Sequence, residues 1–274
     1  MKQPFLPLLF SVGLVLVMAS CQKQDVPLKE NPASDVSLKK ANTNSKTNTF
    51  YGPQVHVGNG KVRSFIEINH NGEPQEIGVE MTDDALTGLP EETMHSDAIV
   101  VPLHSKAVAL TPFQHIGLNW NPHGHPPPGL FLGIPHFDFH FYMISNEERM
   151  SIPAYSEESA DMFNNFPAYM PADYFAPPGP DGAEPQMGKH WLPPPPSFLP
   201  FTRVMILGTY DGRLIFEEPM VTVDYLESDE TTSQPFSQPS WFEHAGKYYP
   251  TVMNVYEEEK TGKHIVSLSN FIKR

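Results

Sequence analysis

Cysteine is nearly absent: Cys21 is the only one in 274 residues. A single thiol excludes an internal disulfide framework and any cysteine-based zinc ribbon. Basic residues are also scarce, with 18 Lys and Arg against 32 Asp and Glu, a formal net charge of -14. A nucleic-acid binder needs a basic face to replace counterions, so that class is excluded. The chain has no Gly-x-Ser-x-Gly, no phosphate-binding loop and no dinucleotide fingerprint. What is plentiful is proline, 30 of 274 residues, about twice the usual ~5%. Proline lacks the N–H that a helix interior needs, so a helix bundle is disfavoured. At 39% hydrophobic residues the chain still has enough apolar material for a core.

Long hydrophobic runs are missing as well. The main apolar stretch, Phe5 to Val17, follows Lys2 and is too short for an ordinary transmembrane helix. It leads into Met18-Ala19-Ser20-Cys21, which resembles the lipobox of bacterial lipoproteins. The resemblance implies a cleaved signal peptide over residues 1–20 and lipidation of Cys21. Cleavage there removes Lys2 and no acid, leaving 17 basic and 32 acidic residues and a net charge of -15. Acyl chains partition at about 0.8 kcal/mol per buried CH₂, and several together hold a protein at a membrane. The expected location is therefore the bacterial cell envelope, on its extracytoplasmic side. Gln22 stands where an inner-membrane retention signal would place Asp, so a host with an outer membrane would carry the protein there.

Residues 21–49 are polar and read as a flexible tether. From Phe50 the pattern changes to short alternating runs. Val62 to Asn69 and Glu76 to Met81 flank His70-Asn71-Gly72, a hairpin signal. Asp83 to Leu89 reads as a short helix ended by Pro90, and Ala98 to Leu103 and His115 to Trp120 as short strands. Residues 121–200 hold 17 prolines in 80 positions and read as a long insertion of ordered loop or polyproline II. Inside it, Pro135 to Ser145 is regular, Glu147-Glu148-Arg149 starts a helical turn, and Glu157 to Asn165 reads as helical. Beyond it, Asp211-Gly212 joins Thr202–Tyr210 to Arg213–Phe216, the strongest hairpin signal in the chain. Tyr248 to Tyr256 and His264 to Ile272 form a further pair. The expected fold is mainly β: an antiparallel sandwich or barrel-like domain over residues 50–274, with short helices and the proline-rich insertion.

The chemistry concentrates in histidines. Five lie between His115 and His140. In Pro135-His136-Phe137-Asp138-Phe139-His140-Phe141-Tyr142 a strand places His136, Asp138 and His140 on one face and three phenylalanines on the other. The phenylalanines bury their face in a core; the other face carries two imidazoles and a carboxylate. His123-Gly124-His125 is a second His-x-His pair, with a glycine that permits a sharp path. Together the two segments offer four imidazoles and one carboxylate to a divalent transition metal. Zinc is the first choice, and copper, iron, manganese and nickel are also compatible. Asp138 reads either as a ligand or as the residue that orients one. The alternative is a polar face of ordinary hydrogen-bonded histidines.

His115 and His190 are additional candidates; His190, in Met187-Gly188-Lys189-His190-Trp191, reads as a further ligand, a lid or a plain loop residue. Glu217 and Glu218 end a strand, and only one of two neighbours can face a site. Cupins also use His-x-His, with a Glu a few residues on, but here Pro126 to Leu130 occupy that stretch and the match fails.

The blocks Thr111 to His125, Pro135 to Tyr142, Met187 to Trp191 and Gly208 to Gly212 with Phe216 to Met220 are similar to those of a family of bacterial envelope proteins. That family includes a small Thermus protein under an envelope-stress sigma factor. The resemblance spans roughly 50–274 and implies an envelope location. It implies no reaction.

Three functions remain: a lipoprotein that binds a divalent metal, a metal-dependent enzyme of unknown substrate, and a metal-free structural or adhesive module with a protein or glycan partner. Four protein ligands favour the first; three plus a water in a cleft favour the second. Histidines lying apart, or each paired to backbone, favour the third.

Overall fold

The structure, a computed structural model, describes residues 47–92, 98–125, 133–195 and 199–274. The signal-peptide and lipidation readings, including Cys21, lie outside the described residues, as do the tether up to residue 46 and Pro126 to Pro128.

Along the chain the strands are β1 (Asn48–Val57), β2 (Gly60–Ile68), β3 (Pro74–Met81), β4 (Ile99–Pro102), β5 (His115–Asn121), β6 (His136–Tyr142), β7 (Ala183–Glu184), β8 (Gly188–Trp191), β9 (Arg203–Tyr210), β10 (Arg213–Thr222), β11 (Thr232–Pro235), β12 (Tyr248–Tyr249), β13 (Val252–Glu258), β14 (Lys263–Ser269) and β15 (Ile272–Lys273). Four short helices accompany them among the described residues: α1 (Ser105–Leu110), α2 (Asn146–Ser151), α3 (Ala160–Asn164) and α4 (Val223–Leu226). The expected helix after Pro74–Met81 is a single 3₁₀ turn, Asp83–Leu86.

One sheet runs β1-β2-β3-β14-β13-β11 and the second runs β4-β5-β6-β10-β9-β8-β7; one of the sheets is curled into a half-barrel. All pairings are antiparallel. The β9–β10 hairpin turns on Asp211 (φ 45°) and Gly212 (φ 74°), the two positive φ values that a type I′ turn requires. Ile66, Ile77, Val79, Val266 and Leu268 of the first sheet share one buried cluster with Ile116, Leu118, Phe137, Phe139, Phe141, Leu207 and Val221 of the second. The hydrophobic drive to cover three phenylalanines fixes which way β6 faces. Its alternate residues, His136, Asp138, His140 and Tyr142, must then point away from that core.

That second face is also buried. Two smaller apolar clusters lie on it. One contains Tyr142, Ile144, Phe163, Met187 and Phe216; the other contains Leu192, Phe201, Val204, Ile206 and Met220. Much of this cover comes from the proline-rich insertion. The insertion is more regular than its composition suggests, because β7 and β8 add to the sheet beyond β9. Lys189 on β8 is fully buried, and its Nζ donates to the carbonyls of Gly179 and Asp181 at 2.7 Å each. Three strong backbone acceptors are thereby held in place, since the His190 N–H also donates to the Gly182 carbonyl at 2.7 Å.

Two glycines make room for rings over the sheet. A Cβ on Gly208 would fall on the Phe216 ring, and one on Gly117 would meet Tyr142 Cε2 at 2.9 Å. Pro219 sits in the inner strand β10, where it cannot donate to a ladder. β6–β10 partners occur at Phe216, Glu217, Met220 and Val221 but not at Glu218 or Pro219. The ladder is interrupted where Glu218 projects.

Candidate metal centre

The face of β6 that points away from the phenylalanines carries two groups of donors. In the first, His136 Nε2 lies 3.3 Å from Asp138 Oδ1, and His125 Nε2 lies 3.6 Å from Asp138 Oδ2. In the second, His140 Nε2 lies 3.4 Å from Glu218 Oε1, and His190 Nε2 lies 3.6 Å from Glu218 Oε2. Within each group the three donor atoms all fall within 4.8 Å of one another.

These separations bear on two interpretations. An N–H···O hydrogen bond usually spans roughly 2.7–3.2 Å, and all four contacts are longer than that. Two donors on one tetrahedral ion, at bonds of about 2.0–2.2 Å, stand roughly 3.3–3.6 Å apart. The four contacts lie in that second range. Each group is two imidazoles and one carboxylate, and each has the donor types and spacing to hold a metal ion.

Ring orientation agrees. His136 Nδ1 is 2.7 Å from the Ile134 carbonyl, and His190 Nδ1 is 3.0 Å from the Gly182 carbonyl. A carbonyl only accepts, so both Nδ1 atoms carry the proton and both Nε2 atoms present a lone pair to the carboxylate. Metal-binding histidines are held in this way. Asp138 is held likewise, its Oδ2 accepting from Asn121 Nδ2 at 2.7 Å. Asn121 faces His136 across the β5–β6 ladder.

Burial sets the protonation states. His140 is driven down to about 3 and His190 to about 4, each chiefly by desolvation, and His136 is lowered for the same reason. All three are neutral near pH 7, the form that binds metals. Burial pushes the Asp138 carboxyl up, but the facing His136 and His125 outweigh it and hold it well below the usual range. The Glu218 carboxyl is pushed well up, first by burial and then by the Asp138 charge. Glu218 Oε2 and His140 Nε2 are buried and make no hydrogen bond among the described residues.

The residues singled out from sequence are thus divided. His136 and Asp138 meet His125 in one group, while His140 joins His190 in the other. A single ion cannot collect all of β6, because residues four apart on a strand are about 13 Å apart. His123 stands outside both groups: β5 ends at Asn121, and His123 is exposed on the turn that follows. The His123-Gly124-His125 pair is therefore not a strand pair, and Gly124 (φ 61°) redirects the chain between the two rings. His115 is also outside. It stacks on Tyr142 at 4.9 Å, and burial followed by the nearby Arg149 charge lowers it to about 4.

Glu218 was the residue least visible in sequence, because its neighbour Glu217 looks identical. Alternation separates them. Glu217 points into the inter-sheet core, fully buried, with neither oxygen hydrogen-bonded among the described residues.

A family model described as TTHB210-like, hypothetical protein TTHB210, matches residues 69–120, and the family is one of Thermus hypothetical proteins. The matched segment runs from just before β3 to the end of β5 and contains no member of either donor group. Neither a curated protein nor a solved structure matches the chain.

Glu217 gives a prediction for the metal-free protein. Burial pushes its carboxyl from 4.5 up to about 8. Between those values the folded chain holds a proton that the unfolded chain has released. The stabilisation is complete below about pH 4.5 and is lost as pH rises towards about 8. A Glu217→Gln variant should therefore gain in melting temperature relative to the parent between pH 5 and pH 8. An unchanged difference across that interval would show that Glu217 is ionised in the fold.

Proposed function

We propose that this chain is a membrane-anchored extracytoplasmic lipoprotein whose β domain binds a divalent transition metal, with zinc the first choice, through His125, His136 and Asp138. The observation that carries the metal reading is the spacing of the donors: imidazole nitrogens stand 3.3 and 3.6 Å from one carboxylate, longer than the usual N–H···O distance and suited to a shared ion. The lipoprotein reading rests on the lipobox resemblance at Met18 to Cys21 and on the chain's only thiol standing there.

A metal-free module with unassociated histidines is disfavoured by the same geometry. His136 and His190 do pair with backbone, but only through Nδ1; their Nε2 atoms face carboxylates.

A second reading, a metal-dependent enzyme, is supported by the donor count. Three protein donors leave a coordination position open, and an ion held in this way lowers the pKa of a bound water. His125 keeps about a fifth of its side-chain surface exposed, at 21%, so the first group is reachable from solvent.

The test is elemental analysis of the full chain, purified without a His-tag or chelator, beside a His136→Ala, His140→Ala double variant. The expected result is a near-stoichiometric divalent metal in the parent and none in the variant. No metal in either, after incubation with zinc, copper, iron and manganese, would remove both metal readings. The anchor has its own test: Cys21→Ser should move the protein from the membrane to the soluble fraction of the expressing cells. Unchanged membrane association would rule out lipid attachment at Cys21.

A further inference from the structure

The second donor group has a property that the first lacks: its three residues come from three separate segments. His140 lies on β6 and Glu218 on the neighbouring β10, while His190 lies on β8, within the proline-rich insertion. We propose that His140, His190 and Glu218 form a second divalent-metal site, distinct from the His125 site, and that its ion fastens the segment around β8 to β6 and β10. The proposal extends the metal reading given above and rests on it.

Burial supplies the first argument. The side chains of His140 and Glu218 are 0% and 1% exposed, and that of His190 is 16% exposed. Buried polar atoms are nearly always paired, yet His140 Nε2 and Glu218 Oε2 make no hydrogen bond among the described residues. One cation between them would satisfy both, together with His190 Nε2.

Local construction supplies the second. Pro219 interrupts the β6–β10 ladder at Glu218. The Gly182 carbonyl orients the His190 ring, and the backbone around Gly182 is tied to β8 by Lys189 and by the His190 N–H. Phe216 closes one side, its ring 4.8 Å from His140 and 5.3 Å from His190. The pocket is built to hold three donors still.

Separateness follows from distance and from the carboxylates. Each group has its own acid, and His136 and His140 are about 13 Å apart along one strand. The consequence concerns order. Metal binding to residues brought together by folding is itself folding free energy. An ion held by His190 therefore restrains the segment around β8, whereas one held by His125 restrains only the segment following β5.

The experiment is a zinc titration of the full chain read by native mass spectrometry, with limited proteolysis of residues 152–201 before and after loading. The parent is compared with His190→Ala, with Glu218→Gln and with His136→Ala. Glu218→Gln preserves the shape of the protonated side chain and serves if His190→Ala fails to fold. The expected result is two zinc ions in the parent and one in each variant. Zinc should slow cleavage within 152–201 several-fold in the parent and in His136→Ala, and should not slow it in His190→Ala or Glu218→Gln.

A single ion that survives His190→Ala and Glu218→Gln but is lost in His136→Ala would overturn this proposal and leave the first site standing. A single ion lost in all variants would overturn it too, since one shared ion is not a second site. A single ion lost only in the His190 and Glu218 variants would support the second site and remove the first. Two ions with no protection of the insertion would overturn the fastening role. No ion at all would remove the metal reading on which everything here rests.

Discussion

Burying imidazoles and carboxylates is costly unless something joins them. That constraint governs the second sheet of this protein. Phe137, Phe139 and Phe141 commit one face of β6 to the inter-sheet core, and a strand leaves no choice about the other face. His136, Asp138 and His140 are carried with them into a second buried layer, where Glu218 and His190 also lie. The histidines there are neutral near pH 7, held so chiefly by desolvation. Their Nε2 atoms face carboxylates at separations longer than the usual hydrogen-bond distance. A divalent cation shared by the donors of each group would join them.

Around that face the rest of the structure acts as support. Asn121 fixes Asp138, two backbone carbonyls fix two imidazoles, and the Lys189 ammonium ties the insertion backbone beside one of them. The part of the proline-rich insertion that follows β6, which composition alone suggests is a loop or partner surface, covers the buried donor face and supplies His190. Its prolines stiffen the path, and β7 and β8 dock it to the sheet.

Much of this was legible in the sequence, for identifiable reasons. The period-2 aromatics of residues 137–141 announce β6 and its orientation, and Asp211-Gly212 announces the β9–β10 turn that positive φ values then realise. Other features were not legible. The pairing of β3 with β14 joins segments far apart in the chain, for which no local pattern exists. β7 and β8 are two and four residues long, too short to show alternation. His123 falls outside both groups because an i, i+2 pair shares a face only in a strand, and β5 stops at Asn121. His140 looked like a partner of His136 because both share a face; the length of the strand sends them to different groups. Glu218 was indistinguishable from Glu217 until strand parity put one at the donor face and the other in the core.

Metal binding at the β6 face is tested most directly by anomalous diffraction from crystals of the zinc-loaded protein. Data collected on both sides of the zinc absorption edge should show a peak among His125 Nε2, His136 Nε2 and Asp138, with bonds of about 2.0–2.2 Å, and a separate one among His140, His190 and Glu218. Crystals of zinc-loaded protein with no anomalous peak near β6, or with zinc only at surface histidines such as His123, would contradict it.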